Sequence, residues 1–284
     1  MQIGFIGAGK VGCSMGRYMK EQGLPVAGYY SRQLESSKFA GTFTGTEAFE
    51  TIKEMTEKCD ILCITTTDGE IENAWNELQK QELEGKIICH FSGSYSSAVF
   101  KGIEEKKAMG CSIHPMCAFS DKSTSYRQLN QVLFTMEGED KALATMRPLF
   151  EQMGNRVLRI ASDKKVLYHC SASLVSNFMI GLYQMGLDCM EECGLTREEA
   201  EILFRPLICG NIAKMLDKGP EKALSGPIER NDTQTIDKHL QVLEDKDREL
   251  YCLVGEKVLE VAKKRNPSVD YRELENLLEK KGSR

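Results

Sequence analysis

The sequence predicts an α/β fold, in which a doubly wound and mostly parallel sheet is followed by an all-α C-terminal domain. Over the first 161 residues, short apolar and β-branched runs alternate with stretches of helical periodicity, which is typical of βαβ units. A glycine-rich turn directly follows the first of these runs. Beyond this region the apolar residues recur at helical spacing, without a competing strand pattern. We therefore expect one domain over residues 1–161 and a second over residues 162–284.

The individual elements follow from the same two periodicities. Strands are predicted over residues 2–7, 25–31, 60–66, 86–91, 111–114, 131–136 and 156–160, with a helix over 140–153 between the last two. Helices of the second domain are predicted over residues 163–193, 196–218, 233–264 and 270–280. The first of these helices would be about 45 Å long at 1.5 Å per residue, which exceeds the diameter of a small domain. We therefore expect it to pack against a second copy, in a homodimer formed through the helical domain.

Composition excludes several classes of function. The 284 residues carry 37 basic and 42 acidic side chains, so the net charge of −5 gives no global attraction for nucleic acid. No apolar run is long enough to span a membrane, and the N-terminal residues enter a strand pattern without a basic leader. The 11 cysteines include no C-x-x-C pair, which favours reduced thiols over metal ligation. We expect a cytoplasmic protein that binds no membrane, nucleic acid or metal.

The strongest motif is the turn Gly7-Ala-Gly9-Lys10-Val11-Gly12, which follows a predicted strand and opens a predicted helix. Glycines in this pattern allow a tight turn, close approach of the backbone to a pyrophosphate and close packing of helix on strand. The N-terminus of the helix attracts the phosphates. The alternative, a chance glycine turn, is disfavoured by the strand–turn–helix context. We assign Gly7, Gly9, Lys10, Val11 and Gly12 to dinucleotide binding in a Rossmann domain.

The end of the second strand indicates which dinucleotide binds. An NAD site usually places an acid there to accept the ribose hydroxyls, whereas this chain has Ser31 and Arg32, with no acid before Glu35. Arginine and serine can donate hydrogen bonds to a 2′-phosphate. A solvated surface arginine is the alternative interpretation of Arg32. The sequence favours NADP.

Hydroxyl side chains stand at the carboxyl ends of two neighbouring strands. Thr66 and Thr67 end one of them, and Ser92 lies in the Ser-Gly-Ser turn after the next. Ligands of open α/β sheets bind at this edge, so we expect these residues to line the nicotinamide end of the cofactor. Each could equally be a helix cap or a turn former.

His114 ends the following strand, directly before Pro115. Its reference pKa of about 6.5 would allow proton exchange near neutral pH. A lone histidine is more often structural, and His90, which lies beside the Ser-Gly-Ser turn or points into the sheet, is a weaker rival. We take His114 as the candidate acid or base.

The first helix after the sheet carries a polar stripe of residues spaced by fours: Lys165, His169, Ser173 and Asn177. A stripe with Ser and Asn near its centre suits a lined cavity, although a solvent-facing stripe is the alternative. We expect His169 to be a second candidate acid or base, Ser173 to contact substrate and Asn177 to orient it. Arg230, in a polar turn between helices, could bind a substrate carboxylate.

The chain resembles, over nearly its full length, Rossmann-like NADP oxidoreductases with an all-helical C-terminal domain of unknown function. The segments that carry the resemblance are Gly7-x-Gly9-x-x-Gly12, Ser92-Gly93-Ser94, Ile113-His114-Pro115, Ser173-x-x-x-Asn177, Pro206-Leu207-x-x-x-Asn211 and Ala223-Leu-Ser-Gly-Pro-Ile-Glu-Arg-Asn-Asp232-x-x-Thr235-x-x-x-His239-Leu240. In the last segment Ser225 and Asn231 stand where the family pattern has Thr and Gly.

This family is distantly similar to β-hydroxyacid dehydrogenases, ketopantoate reductase, pyrroline-5-carboxylate reductase and prephenate dehydrogenase. The resemblance to prephenate dehydrogenases implies that His114 interacts with a substrate hydroxyl and that Ser92 lies beside it. β-Hydroxyacid dehydrogenases carry a catalytic lysine followed four residues later by asparagine. Here Lys165 or His169 falls near that lysine, and His169 or Ser173 follows, so the pair is not reproduced.

These observations together predict an NADP(H)-dependent oxidoreductase, a dehydrogenase or reductase that acts by hydride transfer on a small, carboxylate-bearing molecule. His114 would handle the proton, and Arg230 would bind the substrate anion. The rival hypothesis is a non-catalytic NADP-binding sensor or regulator, which the missing lysine–asparagine pair keeps open. A flavin or deazaflavin partner enzyme would need a second cofactor pocket.

Overall fold

The computed structural model describes residues 1–282, with side chains through residue 279. The chain forms two compact units, of which the first is Met1–Ser176 and the second begins at Asn177. Sequence analysis places the domain boundary after residue 161. Helix α6 (Lys165–Val175) falls within the first compact unit.

The first unit is built on a single sheet with the strand order β3-β2-β1-β4-β5-β6-β7-β8. All neighbouring strands run parallel except the antiparallel pair β6 and β7, so the predicted doubly wound and mostly parallel sheet is confirmed. The strands are β1 (Ile3–Ile6), β2 (Val26–Tyr30), β3 (Glu47–Phe49), β4 (Ile61–Ile64), β5 (Ile87–His90), β6 (Met109–Pro115), β7 (Phe134–Gly138) and β8 (Val157–Arg159). Strand β3 was missed, since its three residues contain no apolar run.

Helices cover both faces of this sheet. They are α1 (Lys10–Glu21), α2 (Leu34–Thr44), α3 (Ile52–Lys58), α4 (Ile71–Leu78), α5 (Asp140–Gln152) and α6. Successive residues of a strand point to opposite faces, so Phe5 joins one apolar cluster with Met15, whereas Ile6 joins a second cluster with Trp75. Burial on both faces holds the carboxyl ends of β1, β4, β5 and β6 rigidly along one edge.

The second unit is all-helical, with a small core of its own that includes Ile236, Leu240 and Leu274. Its helices are α7 (Asn177–Glu192), α8 (Arg197–Ala223), α9 (Thr233–Val242), α10 (Asp245–Arg265) and α11 (Arg272–Gly282). A capping box formed by Thr196 and Glu199 starts α8. No helix within the described residues is long and apolar enough to cross a membrane.

Two helices that were predicted to be continuous are broken. The helix predicted over 163–193 divides at Ser176, whose hydroxyl donates to the Ala172 carbonyl oxygen at 2.7 Å, a back-bond that bends helices. The helix predicted over 233–264 divides at Leu243, which is extended (ψ 139°). There the Arg248 guanidinium donates to the carbonyl oxygens of Leu240 and Leu243 and thereby satisfies the end of α9. Neither break contains glycine or proline.

His90 is a structural residue at the end of β5. Its side chain is fully buried, packs edge-on against Phe100 at 5.4 Å between ring centroids, and accepts a hydrogen bond at Nδ1 from the Ser92 amide. Burial lowers the pKa of His90 to about 4, so the ring is neutral near pH 7. The interpretation of His90 as a rival to His114 in catalysis therefore finds no support in its position.

We expect the His90→Gln variant to lose part of the acid sensitivity of the fold. The unfolded chain binds a proton on this imidazole near its ordinary pKa of 6.5, whereas the folded state resists protonation until about pH 4. Stability therefore falls as pH drops through this window, by at most about 1.4 kcal/mol per pH unit for each such imidazole. Urea unfolding at several pH values measures the slope. An unchanged slope in the variant would contradict the burial of this ring.

Candidate functional site

The turn between β1 and α1 requires glycine at its first and last positions. Gly7 has φ +108°, and a Cβ there would lie 2.9 Å from the Thr65 backbone. A Cβ on Gly12 would lie 2.3 Å from the Gly7 carbonyl oxygen. The Thr65 hydroxyl donates to that same oxygen at 2.8 Å, so β4 supports the turn from the side. The turn is packed too closely for any other residue type at these two places.

The space around Gly9 is open, whereas Gly7 and Gly12 are closely packed. It caps the N-terminus of α1, and a Cβ built on it would meet no atom within 4 Å. Lys10 and Val11 begin the helix, whose first turn has neither an acidic residue nor a side-chain cap. Unbonded amides at a helix N-terminus attract anions, and a side chain at position 9 would enter that space. These residues therefore fit the diphosphate of a dinucleotide.

The threonines after β4 have separate roles. Thr65, which sequence analysis did not single out, holds the glycine turn. The Thr66 hydroxyl is buried and has no hydrogen-bond partner among the described residues, which suits a contact with a bound ligand. Thr67 is exposed and precedes a short 3-10 turn that begins at Asp68.

The end of β2 carries Ser31 and Arg32, and the structure adds an acid to them. Arg32 Nη1 lies 2.8 Å from Glu70 Oε2, while the arginine side chain remains 76% exposed. Sequence analysis missed Glu70 because it follows β4 and is distant from Arg32 along the chain. The guanidinium is therefore oriented by a carboxylate and still open to a second anion.

Lys165 anchors α6 on the carboxyl edge of the sheet. Its Nζ donates to the Ser92 carbonyl oxygen at 2.7 Å and to the Ser112 hydroxyl at 2.8 Å, and the residue is 1% exposed. Burial lowers the pKa of this amine to about 8, while the carboxylates of Glu137 and Asp68 favour its charged form. The ammonium form therefore still predominates near pH 7.

The Ser92 side chain is a turn former. Its Oγ accepts hydrogen bonds from the amides of Ser94 and Tyr95, and the Ser94 hydroxyl in turn donates to Asp68. Only the carbonyl oxygen of Ser92 contacts Lys165. These bonds fit the turn-former alternative for this serine, and its catalytic role stays a prediction.

His114 lies at the centre of a cluster formed by β6, the Ser-Gly-Ser turn and α6. Its Nδ1 is 2.8 Å from the Tyr168 hydroxyl, and its ring centroid is 6.3 Å from that of His169. A Cβ on Gly93 would lie 2.8 Å from His114 Nε2 and 2.5 Å from His169 Cδ2, so both rings lie directly over this glycine. Gly93 is thus required for space.

The imidazole of His114 is neutral near pH 7. Burial lowers its pKa to about 4, with further contributions from the charges of Lys165 and His169, while Asp68 opposes them. Near neutral pH the ring can therefore accept a proton or donate a hydrogen bond, but it holds little imidazolium with which to act as a general acid.

The remaining predicted residues are distributed over both units. Ser173 is half-buried on α6, two turns beyond Lys165, so three of the four stripe residues share one helix. Asn177 begins α7 and is exposed, and Arg230 is exposed in the turn before α9. Asn231 has φ +58°, in the left-handed region, which explains why the family pattern has glycine there and why asparagine can replace it.

Sequence analysis missed the residues that complete the cluster. Tyr168 follows Lys165 at a spacing of three, whereas only residues spaced by fours were considered. Glu137 is buried on β7 and accepts hydrogen bonds from Ser97 and Ser162, which ties the start of α6 to the sheet. Among the described residues, no group of three or more His, Cys, Asp or Glu side chains could hold a metal ion.

Comparison with solved structures shows the same two-part fold elsewhere. A protein from Thermotoga maritima matches with a TM-score of 0.75 and 24% identity over 93% of this chain and 99% of its own. A candidate NADP oxidoreductase from Bacteroides fragilis matches with a TM-score of 0.72 and 22% identity over 91% and 98%. An imine reductase from a Pseudomonas species has a TM-score of 0.61 and 12% identity over 92% and 97%. At these identities the likeness shows the fold alone.

Family comparisons find two overlapping matches along the chain. Residues 132–258 match a domain of unknown function, DUF2520. No curated protein matches the sequence closely enough to count as a relative. Residues 2–162, more than half of the chain, match the NAD-binding domain of 6-phosphogluconate dehydrogenase. The chain therefore belongs to the family of that NAD-binding domain, and its Rossmann domain is of the NAD(P)-binding oxidoreductase type.

Proposed function

We propose that the protein is an NADP(H)-dependent oxidoreductase that transfers hydride between the cofactor and a small, carboxylate-bearing molecule. One observation carries this proposal. The open glycine turn after β1 and the cluster around His114 lie on the same edge of the sheet, because β1, β4, β5 and β6 run parallel and adjacent. This arrangement supports a single ligand crevice that would hold both an anion-binding turn and a proton-handling group.

The cofactor would be held by the residues whose environments fit it. Gly9 and the first amides of α1 would bind the diphosphate, Ser31 and Arg32 the 2′-phosphate, and the buried hydroxyl of Thr66 the nicotinamide end. When bound, the cofactor supplies the hydride chemistry. The protein would orient the reactants and manage the proton.

The charges near His114 favour an anionic substrate. The Lys165 ammonium lies behind the Ser-Gly-Ser turn, and the neighbouring imidazole of His114 is neutral near pH 7. A neutral imidazole can exchange a proton with a substrate oxygen. Arg230 and Asn177 of the second unit remain our candidates for binding the substrate carboxylate and for orienting it, and Ser173 and His169 for further polar contacts.

The eleven cysteines are all free thiols, which supports the expectation of a reducing, cytoplasmic location.

We also propose that a second copy of the chain covers the apolar surface of the helical unit. Helices α7 and α8 expose large apolar side chains such as Phe178 (61% exposed) and Leu216 (78% exposed). A cavity of about 700 Å³ between these two helices is lined by Met179, Tyr183, Phe204 and their neighbours. Apolar surface of this extent is unusual on a monomer.

We expect purified protein to oxidise NADPH, or to reduce NADP⁺, with at least one oxo acid, hydroxy acid or imine in a screen that follows absorbance of the reduced cofactor. His114→Ala should lower turnover by about 10²- to 10⁴-fold, the usual range of acid–base catalysis. Its NADPH affinity should change by less than about 1 kcal/mol, since the phosphate contacts lie elsewhere. Unchanged turnover would exclude His114 from catalysis, and NADPH binding without any turnover would indicate the sensor.

Arg32→Ala tests the preference for NADP. We expect the parent protein to bind NADPH more tightly than NADH. The variant should lose about ten- to a hundredfold in NADPH affinity, because a hydrogen bond to a charged group contributes about 1.5–3 kcal/mol. NADH affinity should stay nearly constant. Calorimetric titration with both nucleotides measures this, and equal affinities in the parent protein would refute the preference.

The dimer is tested by sedimentation of the full chain at micromolar concentration, where we expect twice the mass of the monomer. Leu207→Glu places a charge on an exposed apolar position of α8 and should shift the protein toward monomer. Val242→Glu, at the more exposed end of α9 (78% against 58% for Leu207), is the matched control and should leave the mass unchanged. A monomeric parent protein would refute the proposal.

A further inference from the structure

Tyr168 is the one close hydrogen-bond partner of His114 among the described residues. Its hydroxyl lies 2.8 Å from His114 Nδ1, and its ring meets the imidazole edge-on at 5.5 Å between centroids. The two rings come from α6 and β6. Lys165, one helical turn earlier, is buried and fixes α6 on the carboxyl edge of the sheet. The contact between Tyr168 and His114 therefore follows from the docking of this helix.

The direction of this hydrogen bond follows from the acceptors available to Tyr168. Tyr168 is half-buried, and its hydroxyl hydrogen could otherwise turn to Met116 Sδ at 3.9 Å or to the nearby Thr135 hydroxyl. A thioether is a weak acceptor and the Thr135 hydroxyl has no partner within hydrogen-bond distance, whereas the lone pair of a neutral imidazole at 2.8 Å is a strong acceptor. Donation from the hydroxyl to Nδ1 is therefore favoured, and it places the single ring proton on Nε2.

Nε2 is the atom of this ring that a ligand can reach. It lies above Gly93, at 2.8 Å from the place a Cβ would occupy, and none of the described residues is hydrogen-bonded to it. Nε2 is not among the buried unpartnered atoms of the described residues, so a ligand oxygen that approaches it would accept a hydrogen bond from a neutral imidazole.

We propose that Tyr168 is a positioning residue that holds His114 in the Nε2–H form, and that the Nε2–H donates to the oxygen of a carbonyl substrate such as a 2-oxo acid. This inference rests on the proposed function and specifies its substrate class. During reduction the C=O π bond breaks as hydride reaches the carbon, and the oxygen takes the Nε2 proton. Nδ1 receives the hydroxyl proton of Tyr168 as Nε2 gives up its own. The starting tautomer returns when solvent reprotonates Nε2 and Nδ1 gives its proton back to Tyr168, so the imidazole stays neutral.

The charges of the groups that face His114 favour a carbonyl substrate over an imine substrate. Lys165 and His169 from α6 and His90 from β5 oppose positive charge on this ring, and Asp68 alone favours it. A protonated imine brings its own positive charge and has no lone pair to accept from Nε2–H. A carbonyl oxygen accepts this bond and gains negative charge during reduction, which the Lys165 ammonium stabilises.

Nitrogen-15 NMR of the histidine side chains tests the tautomer without any substrate. The chain contains only four histidines, so spectra of His114→Gln assign the His114 signals. We expect Nε2 protonated and Nδ1 unprotonated at pH 7 in the parent protein, and a mixture of both tautomers in Tyr168→Phe. A protonated Nδ1 in the parent, or an unchanged tautomer in Tyr168→Phe, would overturn the positioning role.

The chain supplies a matched control in its second unit, where the Tyr251 hydroxyl lies 2.9 Å from His239 Nδ1 in a similar edge-on pair. Tyr251→Phe removes the same kind of bond and should leave both the His114 signals and turnover unchanged. Tyr168→Phe should lower kcat by about tenfold, the effect of one hydrogen bond, with unchanged NADPH affinity.

Gly93→Ala provides a second variant that does not depend on Tyr168. The added methyl group would crowd Nε2, so we expect turnover of an oxo acid to fall while the Nε2–H tautomer persists. Turnover of a cyclic imine but not of oxo acids would overturn the substrate class. If no compound is turned over, the proposed function fails, yet the NMR result still decides whether Tyr168 sets the tautomer.

Discussion

The site depends on one buried ammonium group. Within α6, all of which the structure describes, Lys165 is the one buried residue, and apolar side chains of the same helix, such as Val166 and Leu167, are exposed. The helix is therefore held to the sheet by polar contacts and not by apolar burial of its own. These are the two hydrogen bonds of Lys165 to Ser92 and Ser112, the bond of Tyr168 to His114, and the bond of Ser162 to Glu137 just before the helix. Desolvation of the amine opposes this arrangement, and its two acceptors and the field of nearby carboxylates offset the cost.

Everything that surrounds His114 follows from this anchor. Once Lys165 is fixed, helical geometry places Tyr168 and His169 on the neighbouring face, one turn further along. The Ser-Gly-Ser turn is held by a hydrogen bond to the Ser92 side chain and by a second one to the His90 ring at the end of β5. The site therefore combines the carboxyl edge of the sheet, a glycine over which two imidazole rings pack, and a helix anchored by a buried ammonium group.

Local sequence patterns were sufficient to predict the features of the fold and the site that depend on local geometry. The glycine turn was predictable because the strand, turn and helix are contiguous, and the grouping of Lys165 with His169 followed from helical spacing. Three features were not predictable, since each depends on strand order or on the face that α6 presents to the sheet. They are the position of Glu70 beside Arg32, the burial of Lys165 and the hydrogen-bond partner of His114. The breaks at Ser176 and Leu243 lacked the glycine or proline that normally marks a helix end, and they arise from a side-chain back-bond and an arginine cap.

Amide hydrogen exchange in Lys165→Met tests the central claim that this buried ammonium holds α6 on the sheet. Methionine keeps the length and the apolar stem of lysine but removes both hydrogen bonds. Because a bond from a charged donor contributes about 1.5–3 kcal/mol, amides of α6 should exchange at least about tenfold faster, while those of β5 and β6 keep their protection. Lys164→Met, which removes a surface ion pair with Asp163, is the control and should leave exchange unchanged. Protection of α6 that is equal in Lys165→Met and in the parent protein would contradict the account.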